Sequence, residues 1–545
     1  MSKLHRAALL LAVIIFAISA FAADEPKGNL VTAAWLEKNL KNPKVLILDA
    51  SSPQQYAAGH IPGALNSSPF AYGAHELPLA EMERRFQALG VSPGKRIVIY
   101  DEGGSNVATR LFWDLHYHGF PAKDLLILDG GLHKWKSSNL PVTKDPTPAP
   151  AVGTFRVVKP RESERVRLPE VLNVSGDPEN HALVDALDPN WYYGAFSPFE
   201  RAGHIPNGIL LPGGDFYNAD KTFKSPAEIK KMLDYMGIKP EQQVSTYCGG
   251  GIAATVPYFA MKFLLGYPNV RLYKESELGW LKDERRLPYW TYESPYLLRD
   301  AGWLMGWSNR MLRMYAQVNV SVIDIRPADA YAQGHLPFAL NVPAETFKAT
   351  FSEPAKLAAL LGPAGVDREL EAVIVSGAGV TKEAALAYLT LERLGQKKIS
   401  IFSDSLDASA KRGLAPTKDA TVVAPKKAPN DLAIPPTTYV PAPRDGVVVT
   451  DPKSTQGVYP KVFIASGATL PGSKPEGTVV HVPYTELLNA DGSPKAAKDI
   501  WAALSKAGVP RYAELVTFSD DPGEAAVNYY ILKLMGFPDV KVWVR

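Results

Sequence analysis

At 545 residues the chain exceeds what one hydrophobic core organises, so several domains of roughly 100–200 residues each are expected. Apolar residues make up 46% and charged residues 21%, the balance of an ordinary globular protein. With 59 Lys and Arg against 56 Asp and Glu, the chain lacks the basic excess of a nucleic-acid binder, though a local anion site remains open to it.

The N-terminus reads MSKLHRAALLLAVIIFAISAFAADEP. Lys3 and Arg6 form a basic head, residues 7–19 an apolar stretch, and Ala20-Phe21-Ala22 a small-x-small cleavage site. This is the pattern of a secretory signal peptide over residues 1–22. The apolar run falls short of the roughly 20 residues that span a bilayer, and Asp24 and Glu25 follow directly. The expectation is export with cleavage, a periplasmic location, and no membrane span in the mature protein.

From residue 26 onward one unit recurs. The first copy, 26–145, opens with the strand VLILD ending at Asp49, then Gly59-His60-Ile61-Pro62-Gly63-Ala64. A helix over 79–89, the strand RIVIY, a turn from Asp101, the helical run NVATRLFWDLHYHG and the strand LLIL complete it. His116 and His118, on that aromatic helix, read as packing residues and not as metal ligands. The Pro-rich LPVTKDPTPAPAVG separates it from the second copy, 160–292. There the corresponding parts are Asp185, Gly203-His204-Ile205-Pro206, a helix over 226–236, the strand QVSTY, a turn reading CGGG, the helical run ATVPYFAMKFLLG and the strand VRLY. The third copy, 298–415, carries Asp324, Gly334-His335-Leu336-Pro337, AVIVS, TKEAALAYLTLERLG and ISIF. A Pro/Lys/Ala stretch over 416–440 reads as an extended, semi-rigid spacer. A degraded fourth copy, 441–545, is expected to place Asp451 at the strand end, followed by Gly467-Ala468-Thr469-Leu470-Pro471, ELVTFS, GEAAVNYYILKLMG and VKVWV. Short apolar strands alternating with helices predict an α/β fold, each copy a mainly parallel sheet with helices on both faces.

The chain has one cysteine, Cys248, which cannot pair within its own chain. It opens the turn between the central strand and a helix of the second copy. Unpaired backbone N–H groups in such a turn form an anion-binding nest, and the helix end behind it adds about half a positive charge. Gly249, Gly250 and Gly251 give the backbone the freedom such a loop needs. The turn is therefore expected to hold a thiolate, ionised and open to solvent. The same position is Asp101, Ser376 and Ser519 in the other copies, none of which is a thiol.

The repeated Asp, Gly-His-aliphatic-Pro and strand-turn-helix pattern resembles the rhodanese, or sulfurtransferase, family. The first two copies are similar to the tandem arrangement of thiosulfate and 3-mercaptopyruvate sulfurtransferases, with an inactive first domain and a catalytic second. The resemblance implies that Cys248 takes sulfur from a small-molecule donor as a persulfide and passes it to a thiol, cyanide or protein acceptor. It implies no metal and no organic cofactor. Gly249, Gly250, Gly251, Ile252 and Ala253 would form the substrate cradle. The loop is neutral, as in mercaptopyruvate-preferring members, but Ala253 stands where a hydroxyl residue is common. The family's substrate-binding arginine is not evident; Trp191, Tyr192 and Tyr193 fall near its place. Arg201 is the candidate anion-binding residue, with Lys274 and Arg285 behind it. Asp185 and His204 would organise loops, and Trp280 would pack under the catalytic turn. The Cys-x5-Arg loop of rhodanese-like phosphatases is excluded by Ala254, and no histidine is placed for a cysteine protease. Two other readings stay open: a non-enzymatic periplasmic binding or assembly protein built of rhodanese modules, and a carrier of sulfur or selenium.

Overall fold

The structure, a computed structural model, describes residues 28–72, 77–454 and 457–544; the expected signal peptide lies outside them. Runs such as Val45–Asp49, Arg96–Tyr100 and Leu125–Leu128 are buried along nearly their whole length, as strands covered on both faces must be. They assemble into four five-stranded sheets, and every pairing is parallel. Numbered in chain order within its sheet, each runs 1-5-4-2-3. The chain reverses direction across the sheet between strands 2 and 4, and the crevice beyond their carboxyl ends is where ligands bind in open α/β sheets. Cys248 follows strand 4 of the second sheet, and Asp185 ends strand 2 beside it.

The chain divides into two compact units. One runs to Tyr192 and resumes over Phe196–Tyr289; the other takes Tyr193–Ala195 and everything from Trp290. Each holds two sheets. In the first unit, helix α1 (Val107–Tyr117) is buried at every residue, the mark of a helix enclosed on all sides. It packs against α2 (Thr255–Phe259), which follows the Cys248 turn, with the Phe112 and Phe259 ring centroids 5.0 Å apart. Helix α3 (Ser276–Leu281) follows the last strand of that sheet. The second unit repeats the pairing: α4 (Lys382–Arg393) lies on α5 (Pro522–Leu534), with Tyr388 and Tyr530 edge to face at 5.0 Å. Among the described residues no helix is long and apolar enough to cross a membrane.

The expected helical run after Cys248 is present, α-helical over Thr255–Phe259 and widened to a π-helical turn over Ala260–Leu264. Two expectations are corrected. In the fourth sheet Asp451 does not end strand 2. It follows the short edge strand Val448–Val449, and strand 2 is Lys461–Ala465. Both runs are short and mostly apolar and are followed by a hydroxyl residue, Thr450 or Ser466, so only sheet pairing tells them apart. The stretch 416–440 is not a free spacer. Thr417 pairs with His335, Val423 bridges Ile434, and the Tyr439 hydroxyl donates to Gln396 at 2.8 Å, which lays it along the third sheet's domain.

Candidate active site

Strand Gln243–Tyr247 ends in a tyrosine whose hydroxyl accepts the Ile205 N–H at 3.2 Å, tying the Gly-His-Ile-Pro loop to the central strand. Tyr100 does the same for Ile61 in the first sheet. Beyond Tyr247 the chain turns sharply. The Cys248 and Gly249 carbonyls accept the N–H groups of Glu277 and Leu278, at 3.0 and 3.1 Å. The carbonyls are thereby drawn to the start of α3 and the amides turn inward. The Gly251 N–H donates to Cys248 Sγ at 3.1 Å, and the amides of Gly250 and Ala254 also favour its anion. Gly251 sits at φ +79°, packed so closely on the Lys274 carbonyl that a side chain there would overlap it. Ser276, itself at φ +52°, accepts the Cys248 N–H at 3.1 Å, with its hydroxyl 3.9 Å from Sγ. The nest expected from the glycines is therefore present, and a serine 28 positions away completes it.

The expected exposure is not found. Cys248 is 2% exposed. Burial raises its pKa, and the surrounding amides and Ser276 only partly oppose that rise. A neutral nest and a five-residue helix do not replace the water that the thiolate has lost. The rim is more open: Gly250, Ile252 and Ala253 are partly exposed. Beside it stand aromatic rings. A side chain on Gly249 would meet Phe199 at 3.5 Å and Trp191 at 3.7 Å, and Trp191 packs edge-on against Phe196.

The residues expected to support the turn are held by contacts within their own domain. His204 stacks on Tyr192 with centroids 3.6 Å apart, and its Nδ1 donates to the Tyr192 carbonyl at 2.9 Å. Burial lowers its pKa to about 3, so the ring is neutral and braces the loop. His60 on Tyr56 and His335 on Tyr331 repeat the stack. Asp185 accepts the Leu187 N–H at 2.9 Å. The Trp280 Nε1–H donates to the Pro288 carbonyl at 2.9 Å while its ring packs with Tyr247 and Tyr273. Arg201, expected to grip an anion, instead donates to the Leu287 carbonyl at 2.7 Å and lies over the Tyr289 ring. Arg285 is engaged with Asp283 at 2.7 Å, and Lys274 is buried. His116 is buried within α1, 3.6 Å from Glu164.

Glu277 was not anticipated. It is 1% exposed, and burial together with nearby Asp185 raises its pKa, against a hydrogen bond from Tyr289. Leu132 occupies the same place in the first domain, since its N–H binds the Asp101 carbonyl as that of Glu277 binds Cys248. An acid thus replaces a core leucine in the copy that carries the thiol. No periodicity marks it; only this comparison of copies does.

The other three turns satisfy themselves. The Asp101 carboxylate takes the N–H groups of Gly103 at 2.8 Å and Ala108 at 3.0 Å, filling its own nest. The Ser376 hydroxyl donates to the Gly379 carbonyl at 2.7 Å, and Ser519 donates to Glu524 at 2.6 Å.

The rhodanese-like domain profile matches residues 32–138, 168–283 and 309–411. The fourth sheet lies beyond those matches but keeps the same strand order. A sulfur carrier protein of Thermus thermophilus is 31% identical over 267 residues, which covers 46% of this chain and 93% of that protein. A 3-mercaptopyruvate sulfurtransferase of Escherichia coli is 30% identical over 271 residues, covering 46% and 94%. The crystal structure of a 3-mercaptopyruvate sulfotransferase from Escherichia coli aligns at 26% identity and a TM-score of 0.41, over 46% of this chain and 99% of that one.

Proposed function

The chain belongs to the rhodanese-like family and is a sulfurtransferase, and from that premise we propose that it moves sulfane sulfur from thiosulfate or 3-mercaptopyruvate through a Cys248 persulfide. The observation that carries this reading is the Gly251 N–H held 3.1 Å from the sulfur of the chain's single cysteine. On encounter with the donor the Cys248 thiol gives its proton to solvent, and the thiolate attacks the outer sulfur of the donor and forms an S–S bond. With thiosulfate the donor's own S–S bond breaks and its electron pair departs on sulfite. With 3-mercaptopyruvate the C–S bond breaks and the pair departs on the pyruvate enolate, which takes up a proton at carbon. The terminal persulfide sulfur is then an anion facing the loop amides, which need no metal to hold it. An acceptor thiolate attacks that sulfur and releases Cys248 as thiolate.

We also place this chemistry outside the cytoplasm, on the strength of the N-terminal leader pattern. The acceptor is then a thiol or a protein of that compartment. Cell fractionation with Cys248-specific labelling tests the location.

The chemistry is tested by intact-mass and peptide mass spectrometry after exposure to each donor. The expected result is one added sulfur on the peptide containing Cys248, removed by a thiol acceptor and absent from Cys248→Ser. Donor turnover that persists in Cys248→Ser, or a chain that gains no sulfur from either donor, overturns the proposal.

A further inference from the structure

The catalytic loop is held from two sides, and one of them belongs to the other domain. Arg110, on α1 of the first domain, donates from Nη1 to the Gly251 carbonyl at 2.9 Å. The Thr255 hydroxyl donates to the next carbonyl, Ile252, at 2.6 Å, and lies 2.8 Å from the hydroxyl of Thr109, the neighbour of Arg110. The Gly251 carbonyl is thus drawn toward α1, as those of Cys248 and Gly249 are drawn toward α3, while the Ile252 carbonyl is held by Thr255 at the start of α2, whose hydroxyl meets Thr109 of α1.

The consequence follows from peptide geometry. The described peptides here are trans, so each carbonyl points opposite to the N–H of the following residue. Anchoring the Gly251 carbonyl on Arg110 therefore turns the Ile252 N–H away from α1, and fixes the peptide that follows the Gly251 N–H facing Cys248 Sγ. Gly251 is fixed at both ends, its carbonyl on Arg110 and its own N–H on Cys248 Sγ. A charged donor on a carbonyl also polarises that peptide and strengthens its N–H as a donor.

Arg110 is itself held firmly. It is fully buried, its Nε lies 3.1 Å from both Asp114 carboxylate oxygens, and Asp114 accepts the Tyr72 hydroxyl at 2.8 Å. A guanidinium can bind Asp114 through Nε and the loop through Nη1 at once, whereas a lysine ammonium is a single point donor on a flexible stem.

We propose that Arg110, assisted by Thr109, is a positioning residue for sulfur transfer, and that the cysteine-less first domain serves as the template on which the catalytic loop is shaped. This rests on the reading of Cys248 as the sulfur-accepting thiol. It assigns Arg110 to the loop and not to the substrate.

The test uses the full chain with Arg110→Gln, Arg110→Lys and Thr109→Val, each checked for folding by circular dichroism. Two readouts are taken: iodoacetamide alkylation of Cys248 across pH, and kcat and KM for persulfide formation. Arg110→Gln is expected to shift the alkylation profile to higher pH and to lower kcat about tenfold, with little change in KM. Arg110→Lys should recover part of both effects, and Thr109→Val should lower kcat about threefold. Should Arg110→Gln fail to fold, Thr109→Val decides alone. Folded variants with wild-type alkylation profiles and kcat overturn the proposal, as does a rise in KM at unchanged kcat, which would make Arg110 a substrate-binding residue. If the wild type gains no sulfur while the alkylation shifts persist, loop positioning stands and the sulfur-transfer reading falls.

Discussion

At Cys248 the amides of Gly250, Gly251 and Ala254 draw the thiol toward its anion while burial pushes it the other way and prevails. The resting thiol is therefore protonated at neutral pH, and its ionisation belongs to the encounter with substrate. Iodoacetamide should react slowly at pH 7, with a rate that climbs through pH 9; a plateau already reached below pH 8 would show that the nest prevails. Glu277 allows a second test, by stability. In the folded chain it keeps its proton up to about pH 9, whereas unfolded it releases the proton near 4.5. Between those values the folded state binds more protons than the unfolded, so stability falls as pH rises through the window. Buried Asp185, also raised, acts in the same direction. Glu277→Gln keeps the shape and removes the titration. Its urea midpoint should decline less than that of the wild type between pH 5 and 9, and parallel declines would place the effect elsewhere.

The strand-turn-helix element occurs four times in this chain, and what fills the turn distinguishes the copies. In the first, the Asp101 carboxylate occupies the position an incoming anion would need. In the second a sulfur stands there, with partly exposed Gly250, Ile252 and Ala253 around it. The conformation depends on Gly251, whose positive φ and contact with the Lys274 carbonyl leave no room for a side chain. Gly251→Ala is expected to cost about 1–2 kcal/mol in stability. It should also abolish sulfur loading of Cys248 while the far-ultraviolet dichroism remains, because the N–H that faces the sulfur belongs to the displaced residue. Loading at the wild-type rate would mean that the nest tolerates rearrangement.

At the scale of the whole molecule the helices after each fourth strand associate in pairs, α1 with α2 and α4 with α5. In the first unit the pairing carries Arg110 and Thr109 to the catalytic loop. In the second it carries a buried acid: Glu392 on α4 accepts the Tyr529 hydroxyl at 2.8 Å and the Lys533 ammonium at 2.7 Å from α5. Glu392→Ala leaves the buried Tyr529 hydroxyl without its acceptor and the half-buried Lys533 without its counter-charge, and should destabilise that unit by about 2 kcal/mol, read as a lower denaturant midpoint. An unchanged midpoint would show that apolar packing alone holds the helices together.

Local information made the strands, the repeats and the reactive turn readable, because strand length, apolar runs and glycine clusters act over a few neighbouring residues. The identity of the residue after each central strand was enough to single out one copy of four. The arrangement of Ser276, Glu277, Thr109 and Arg110 around the turn depended on folding. Arg110 lies 141 positions from Gly251, and a hydrogen bond between such distant segments leaves no period in the chain. Its only trace in the chain is the i,i+4 spacing of Arg110 and Asp114 within a largely apolar helical run, and the burial of that pair is seen only in the fold. The burial of Cys248 and the true second strand of the fourth sheet were likewise settled by packing, since solvent exclusion and strand pairing are properties of surfaces brought together.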